Sequence, residues 1–442
     1  MYERIYSRST LDDSEKIDIL VALRDGGLEF LVYEILQLVS VKDVCSVLQV
    51  SRSWSDWDDC YLWRRRLSSL LAGRGELTDV LTGLDVETEA KLCVRRLLGL
   101  ARSWRRSECR TVCVREDSSV LCVTSHLARL LVGLNSGEVA QYNMRTAELE
   151  RRKEVHEKGV RVVRVEEDGS VLYTGSYDGT VRLWDSDWTP LTVLLVSVAV
   201  TDVVSQAGSL YVSGDLGNLG CYCREAERLR TVWSLSGGEM MNCLTVWADW
   251  LVTGSDTGQL EVRSRHTGAV EFCLTGHDRG SGISGLAVGV MGLWSASFDC
   301  KIMLWSRAGE CLCVLRGHTD PVRCLHLDNS RLVSGDYRGF VMIWDMEDIR
   351  DEMATFRRRK LKQTKKAPSD IYRLEGRQVV RGGGDVCEVV QHNSLLEHRG
   401  NVTAVRLAGP DVLLSSSRDR TVNIHHFYPA QQHNNFERKS YF

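Results

Sequence analysis

Hydrophobic positions along the chain follow two different periods, and the change falls near residue 110. After that point, short strands with alternating polar and apolar residues are separated by turns, as in Leu172–Asp185 (LYTGSYDGTVRLWD), where Asp178-Gly179 marks a tight turn. Before it, apolar residues return every three or four positions, as Leu97, Leu98, Ala101 and Trp104 do within 91–104. The pattern predicts a helical region followed by a longer region of β-hairpins.

The hairpin pattern repeats through the C-terminal three-quarters of the chain. The small residue that ends the first strand recurs at intervals of 34–47 residues, about 40 on average, at Gly133, Gly175, Gly214, Gly254, Ala296, Gly335, Gly382 and Ser416. That period is typical of four-stranded propeller blades. Eight copies favour eight blades. Seven blades stay an alternative, because the copy that begins at Val379 is degenerate and follows an insertion.

The segment 110–116 precedes the first complete repeat and has the pattern of a lone strand. It can supply the outer strand of the last blade, whose own sequence ends near Phe427. Such pairing closes the ring and removes exposed strand edges.

Several repeats place polar side chains at matching positions, which predicts a hydrogen-bonded tetrad inside one blade. The complete sets are His156, Thr174, Asp178 and Trp184 in repeat two, and His277, Ser295, Asp299 and Trp305 in repeat five. Repeat six has Arg338 where the Asp is expected, and repeat eight has His425 at the Trp position. Because buried polar groups need partners, these histidines are predicted to be structural rather than metal-binding or catalytic.

Composition narrows the class of protein. With 43% hydrophobic and 26% charged residues among 442, a packed core is expected and global disorder is excluded. A net charge of −3 favours neither nucleic acid nor an anionic membrane as partner, and the apolar stretch 191–200 is short for a membrane helix. The fifteen cysteines lie mostly in apolar runs and predict reduced, buried thiols of a protein of the cytoplasm, the nucleus or both.

The helical region contains a family resemblance. Residues 28–67 resemble an F-box through Ile35-Leu36, Lys42-Asp43-Val44, the segment 50–54 (VSRSW) and the segment 62–65 (LWRR). The Leu-Pro pair usual at the start is replaced by Gly27-Leu28, and Val41 stands where a Pro is common. An F-box followed by a propeller resembles the F-box/WD-repeat family over roughly residues 28–428.

The resemblance implies an all-β WD-repeat propeller preceded by a small all-α F-box and a helical linker. The expected domains are a variable segment 1–27, the F-box 28–67, the linker 68–109, the propeller 110–428 and a polar tail 429–442. It further implies a substrate-recognition subunit of a Skp–cullin–F-box ubiquitin ligase, which holds target proteins for ubiquitination and proteasomal degradation. The residues expected to bind the Skp adaptor, or alternatively to close the F-box core, are Leu31, Ile35, Leu36, Val44, Leu48, Val50 and Trp54.

Members of this family often hold phosphorylated targets with arginines at the start of inner strands and in the turn after the second strand. The matching residues here are Arg161, Arg323 and Arg418, with Tyr177 and Tyr337 at the turn position of other repeats. Thr403 and Ser284 stand where other blades carry arginine. These five arginines and tyrosines are predicted to form a substrate-binding face for acidic or phosphorylated peptides, the alternative being an ordinary solvated rim.

Other functions stay open at this stage. The chain lacks the phosphate-loop, nucleophile-elbow and zinc-protease motifs, so no catalysis, cofactor or metal is expected. A propeller scaffold unrelated to ubiquitin is the principal alternative. The basic run 357–366 (RRRKLKQTKK) is expected in a protruding loop, as a nuclear signal, an anion-binding patch or simply solvated residues. The helical pattern of 14–25 leaves a homodimer open.

Overall fold

The computed structural model describes residues 62–64, 67–68, 89–166, 168–225, 228–364, 386–390, 394–396 and 398–427. The chain divides into two compact units, Met1–Ala101 and Arg102–Phe442. The helix expected over 91–104 is helix α1 (Ala90–Arg105), and its last turn belongs to the second unit. The seven adaptor-binding candidates and almost all of the F-box segment lie outside the described residues, so those expectations stay predictions.

In the second unit, the last turn of α1 is followed by strand β1 (Cys109–Arg115) and then by four blades of four consecutive antiparallel strands. Blade one contains β2 (Val120–His126), β3 (Arg129–Leu134), β4 (Glu138–Asn143) and β5 (Leu149–Glu154). Blade two contains β6 (Val160–Val165), β7 (Val171–Ser176), β8 (Thr180–Asp185) and β9 (Pro190–Leu195). Blade three contains β10 (Val200–Gln206), β11 (Ser209–Gly214), β12 (Leu219–Glu225) and β13 (Arg228–Leu235). Blade four contains β14 (Met241–Trp247), β15 (Trp250–Ser255), β16 (Leu260–Ser264) and β17 (Val270–Leu274).

The remaining three blades are less regular. Blade five contains β18 (Ile283–Gly289), β19 (Gly292–Ser297), β20 (Lys301–Trp305) and β21 (Cys311–Arg316). Blade six contains β22 (Val322–Leu327), β23 (Arg331–Asp336) and β24 (Phe340–Asp345), and only after helix α2 (Met346–Thr364) and strand β25 (Cys387–Val390) does β26 (Ser394–Leu396) complete it. Blade seven contains β27 (Val402–Leu407), β28 (Val412–Ser417) and β29 (Thr421–Phe427).

The propeller has seven blades, and the preference for eight was wrong. The segment interpreted as a degenerate seventh repeat belongs to an insertion between the third and fourth strands of blade six. Its strand β25 pairs in parallel with β21 and adds a fifth strand to blade five. Because Gly335 and Ser416 are separated by about two repeat lengths, the insertion imitated a further copy in the sequence.

The insertion also contradicts the expected loop for the basic run 357–366. Helix α2 extends to Thr364, so the first eight residues of that run are helical.

No helix in the described part of the chain is long and apolar enough to cross a membrane.

The predicted ring closure is confirmed. Strand β1 pairs antiparallel with β29 over seven residues, from Cys109 opposite Phe427 to Arg115 opposite Thr421, and supplies the outer strand of blade seven. Trp104 stacks on Phe427 with ring centroids 3.5 Å apart, and its indole Nε1 donates to the Pro410 carbonyl at 3.0 Å. The Arg331 guanidinium lies 4.0 Å from the centre of the Trp104 ring. These contacts fasten the chain segment just before β1 to the last blade.

Buried aliphatic and aromatic side chains form clusters that each span two neighbouring blades. Small side chains on the inner strands complete this packing. Cys122, Cys243 and Cys324 each lie opposite a glycine of the second strand, and each thiol donates to a carbonyl of the next blade at 3.5–3.9 Å. Burial raises the pKa of Cys122 and Cys324 to about 12, so both remain protonated thiols. Their role as small apolar filling agrees with the interpretation of the cysteines from the sequence.

The predicted tetrads connect the segment before the inner strand to the second and third strands of the same blade. In blade five, His277 contacts Asp299 through Nδ1 and Ser295 through Nε2, both at 2.8 Å, while Trp305 Nε1 donates to Ser295 at 2.8 Å. Blade two repeats the arrangement with His156, Thr174, Asp178 and Trp184 at 2.8–3.0 Å. Each polar side chain of these two tetrads therefore has a partner, and burial lowers the pKa of His156 so that its ring stays neutral.

Blade six corrects the expectation that its tetrad lacks a carboxylate. Asp336 approaches His318 Nδ1 at 2.9 Å from a position two residues before Arg338, while Ser334 and Trp344 complete the set. Arg338 instead points outward to Asp320, with 68% of its side chain exposed. The carboxylate of this tetrad thus comes from a position two residues earlier in the turn than in blades two and five, and it makes the same contact with the histidine.

Blade seven has the predicted substitution of Trp by His425. His425 Nε2 lies 3.0 Å from Ser415, where the indole of other blades donates, and its Nδ1 lies 2.9 Å from Thr111 of strand β1. Burial lowers the pKa of His425 to about 3, so the ring is neutral at physiological pH. Because an imidazole has two ring nitrogens, His425 connects the tetrad to the closing strand, which an indole could not do.

Separate replacement of Asp336 and Arg338 tests which of these two turn positions of blade six belongs to the tetrad. Asp336→Ala leaves buried His318 without its carboxylate and is expected to cost about 3 kcal/mol of unfolding free energy. Arg338→Ala removes an exposed ion pair and is expected to cost less than about 0.5 kcal/mol. Urea unfolding of both variants measures the difference. Equal losses would show that Asp336 is not the tetrad carboxylate.

Candidate functional site

Every inner strand of the propeller has a β-bulge at its second residue, and this bulge decides what faces the central channel. The bulge places residues three apart on one face, whereas regular alternation would place them on opposite faces. Two rings of seven residues result. The upper ring, at the start of the strands, is Leu121, Arg161, Thr201, Asn242, Ser284, Arg323 and Thr403. The lower ring, three residues further, is Thr124, Arg164, Val204, Thr245, Ala287, His326 and Arg406.

The turns between second and third strands lie beside the upper ring. The amide nitrogens of Tyr177, Tyr337 and Arg418 each donate at 3.1 Å to a carbonyl just before or at the start of their own blade's inner strand. This hydrogen bond fixes each turn over the strand start. The structure therefore gathers the five sequence-predicted residues at one end of the propeller, called here the upper face.

Arg161 and Arg323 form the charged part of the upper ring. They project from blades two and six into a cavity of about 140 Å³. Burial and the neighbouring Arg161 guanidinium lower the pKa of Arg323. Among the residues that line this cavity, Asp202 is the single carboxylate, and it pairs with Arg164 at 3.4 Å. Arg161 and Arg323 thus face the channel without an acidic partner among the described residues.

Ser284 and Thr403 occupy the equivalent positions in blades five and seven, as expected, but serve the fold. Ser284 Oγ donates to the Val322 carbonyl at 2.6 Å, and Thr403 Oγ1 lies 3.0 Å from Ser416 Oγ. Both side chains are buried. Only blades two and six therefore offer a charged group at the upper ring, while Arg418 lies exposed in the blade-seven turn.

Two aromatic side chains, Tyr337 and Phe298, form a pair on the upper face, and Tyr337 lies near Arg323. Tyr337 packs edge-on against Phe298, with ring centroids 5.6 Å apart and planes at 88°. Phe298 was not among the residues predicted from the sequence, although it follows Ser297 in blade five as Tyr177 follows Ser176 in blade two. Its amide donates to the Gly282 carbonyl at 2.9 Å, which places it at the equivalent turn position. Comparison of turn positions across repeats is the signal that identifies it.

The charged or titratable members of the lower ring, Arg164, His326 and Arg406, were also not predicted from the sequence. Without the bulge, the spacing from Arg161 to Arg164 places the two side chains on opposite faces of a strand. Burial lowers the pKa of Arg406 to about 10. The channel therefore contains four arginines against one lining carboxylate in its narrow part.

Comparison with known proteins agrees with this architecture. The family described as WD domain, G-beta repeat, matches residues 148–185 and 309–345. Each match covers the outer strand of one blade and the first three strands of the next. The chain is a WD40-repeat β-propeller. Each repeat in the sequence begins with the outer strand of one blade and continues with the first three strands of the next. The first outer strand, β1, therefore has no earlier blade to join and completes the last one.

Several curated relatives share these repeats. The chain is 28% identical over 239 residues to apoptotic protease-activating factor 1 of Danio rerio, covering 51% of this chain and 18% of that protein. It is 29% identical over 129 residues to mitochondrial division protein 1 of Aspergillus oryzae, covering 29% of this chain and 19% of that protein. The WD-repeat chain thus spans about a fifth of the length of these relatives.

Among solved structures, the computationally designed Ika8 protein has a TM-score of 0.50 with 17% identity, covering 71% of this chain and 97% of that one. At this identity the likeness concerns the fold alone.

The half-buried, unpaired charge of Arg323 predicts a measurable change in stability when it is removed. Arg323→Met removes a charge that burial and Arg161 disfavour while it keeps an unbranched apolar chain, so the WD-repeat propeller is expected to gain about 1 kcal/mol. Thermal unfolding of the purified chain measures the change, which corresponds to about 1.5 °C for a propeller of about 320 residues with an unfolding entropy of about 2.1 cal/mol/K per residue. Arg418→Met, at an exposed position, is the matched control and should leave the midpoint unchanged. A loss of stability in Arg323→Met would contradict the assignment of an unpaired charge.

Proposed function

We propose that this WD-repeat protein is a non-catalytic interaction adaptor whose upper face binds an acidic or phosphorylated segment of a target protein. The observation that carries the proposal is the pair Arg161 and Arg323, which face the channel without an acidic partner among the described residues. A propeller of WD repeats is typically a binding platform and not an enzyme. The described side chains offer no group of three or more His, Cys, Asp and Glu that could hold a metal ion.

Phosphate suits this face for electrostatic and geometric reasons. A guanidinium group donates two parallel hydrogen bonds to a phosphate, and partial burial strengthens each bond by removing competing water. A bound phosphate would also offset the burial and the repulsion from Arg161 that lower the pKa of Arg323. Tyr177 and Tyr337 add hydroxyl groups, while the Tyr337–Phe298 pair offers an apolar surface for a neighbouring side chain.

The finer proposal is a substrate-recognition subunit of a Skp–cullin–F-box ubiquitin ligase. It is supported by the F-box resemblance of residues 28–67, which precede the propeller in the chain. In this arrangement the F-box docks the Skp adaptor and the upper face holds the target for ubiquitination. The principal alternative is a scaffold unrelated to ubiquitin, because relatives named for protease activation and mitochondrial division contain the same repeats.

Substitution of the upper-face arginines tests the binding proposal. The purified full chain is applied to an array of phosphoserine and phosphothreonine peptides and their unphosphorylated counterparts. The triple variant Arg161→Ala, Arg323→Ala, Arg418→Ala is expected to lose at least about tenfold in affinity for the phosphorylated members, since each charge-assisted hydrogen bond is worth about 1.5–3 kcal/mol.

The matched control for that array removes the same charge from the opposite end of the blades. Arg129, Arg145 and Arg307 are exposed there, in or next to turns, and their triple replacement by alanine should leave peptide binding unchanged. Equal losses of peptide affinity in both triple variants would show that the net charge of the protein, and not the upper face, determines binding. Unaltered binding in the first variant would overturn the assignment of the upper face.

Deletion of residues 28–67 tests the ligase proposal separately. The full chain is expected to bind a purified Skp adaptor in size-exclusion chromatography, and the deleted chain is expected to lose that binding while it keeps the phosphopeptide binding of the propeller. Crosslinking followed by recovery of the cullin subunit distinguishes a complete ligase from adaptor binding alone. Absence of adaptor binding in the full chain would leave the scaffold function.

A further inference from the structure

The lower end of the central channel has features of a second binding site, distinct from the upper face. Arg164, His326 and Arg406 come from the inner strands of blades two, six and seven, near the ends of those strands. They line a cavity of about 1010 Å³, together with the hydroxyl-bearing residues Thr124, Ser205 and Thr245. The cavity is large enough for a small organic molecule.

Arg406 is the unusual group of this cavity. Its side chain is half-buried and forms neither a hydrogen bond nor an ion pair with any residue that the structure describes. Burial and the Arg164 guanidinium lower its pKa to about 10, yet it remains charged at neutral pH. A partly desolvated cation beside a second cation is unfavourable unless an anion joins them.

His326 offers a further donor to the same space. The Leu407 amide donates to His326 Nδ1 at 3.2 Å, which fixes the ring and places its proton on Nε2. Burial and the guanidinium groups of Arg406 and Arg164 hold the pKa of His326 well below its usual range, so the ring is neutral. Within the described part of the chain, its Nε2–H has no acceptor. Two guanidinium groups and one imidazole N–H therefore converge on the cavity.

The acidic groups nearby are already engaged. Glu166 accepts the Tyr173 hydroxyl and lies 3.6 Å from Arg224, while the exposed Asp168 accepts from Ser170. Asp202 pairs with Arg164 at 3.4 Å and accepts the Leu244 amide at 3.1 Å. None of these carboxylates pairs with Arg406, so the positive charge of Arg406 is not neutralised by the described residues.

We infer that the lower ring binds a small phosphate-bearing anion, with Arg406 as the principal contact, Arg164 as the second cation and the His326 Nε2–H as a neutral donor. Three donors from three blades match the several oxygens of a phosphate group better than a single carboxylate. The cavity beyond the ring accommodates the remainder of the molecule. The inference goes beyond the proposed function, because its three donors belong to the lower ring whereas Arg161 and Arg323 belong to the upper ring; both rings line the narrow part of the channel.

Calorimetric titration of the full chain with sodium pyrophosphate tests this site. Inorganic phosphate is the second probe, and sodium chloride at matched ionic strength is the control for general screening. Saturable binding is expected. Arg406→Gln should weaken pyrophosphate binding by about tenfold or more, whereas Arg129→Gln, which removes an exposed arginine that lines neither cavity, should leave this binding at its wild-type value. Arg323→Gln is the comparison between the two rings and should weaken the binding less than Arg406→Gln does.

A second variant gives a signature that a merely structural role would not produce. Asp202→Asn removes the carboxylate that competes for Arg164 while it keeps an oxygen for the Leu244 amide, so pyrophosphate should bind several-fold more tightly than in the wild type. Thermal unfolding without the anion shows that each variant is folded. Absence of saturable binding in the wild type, or loss of binding in Arg323→Gln but not in Arg406→Gln, would overturn the inference.

Discussion

Ring closure is the constraint on which the rest of this structure depends. Seven sheets can share buried faces on both sides only if the last sheet meets the first, and β1 achieves this by pairing with β29 in blade seven. Trp104, Phe427 and Arg331 fasten the entering chain, and the hydrogen bond between Thr111 and His425 connects the closing strand to the tetrad. With the ring closed, the inner strands surround one channel, and residues from distant parts of the sequence share it.

The tetrads show that a contact can be kept while its residues change. Blade six supplies the carboxylate from Asp336 instead of the expected position, and blade seven replaces the indole by His425. Both ring nitrogens have partners in His318 of blade six and in His425 of blade seven. The requirement is the satisfaction of buried polar atoms, and more than one residue type at more than one position can meet it.

The sequence was sufficient to predict the propeller, its closing strand, the complete tetrads and the upper-face arginines, because each depends on a repeated local pattern. It was insufficient for the blade number, since an insertion of about one repeat length cannot be separated from a divergent repeat without knowledge of which strands pair. It was also insufficient for the lower ring. Arg164 and Arg406 face the channel only because a bulge shifts the alternation of each inner strand, and bulges leave little trace in one sequence.

The closure has a consequence for how the protein is made. The two strands that complete blade seven are separated in sequence by nearly the whole propeller, from Cys109 to Phe427. During synthesis, β1 leaves the ribosome first and has no partner until the final strand emerges, so its edge stays available to other chains throughout translation. The entropy of closing so long a loop grows only slowly with length, yet contacts of such sequence separation form late and slow the folding reaction. Completion of the ring is therefore among the last events in folding, and a chain that stops short of β29 retains an open blade.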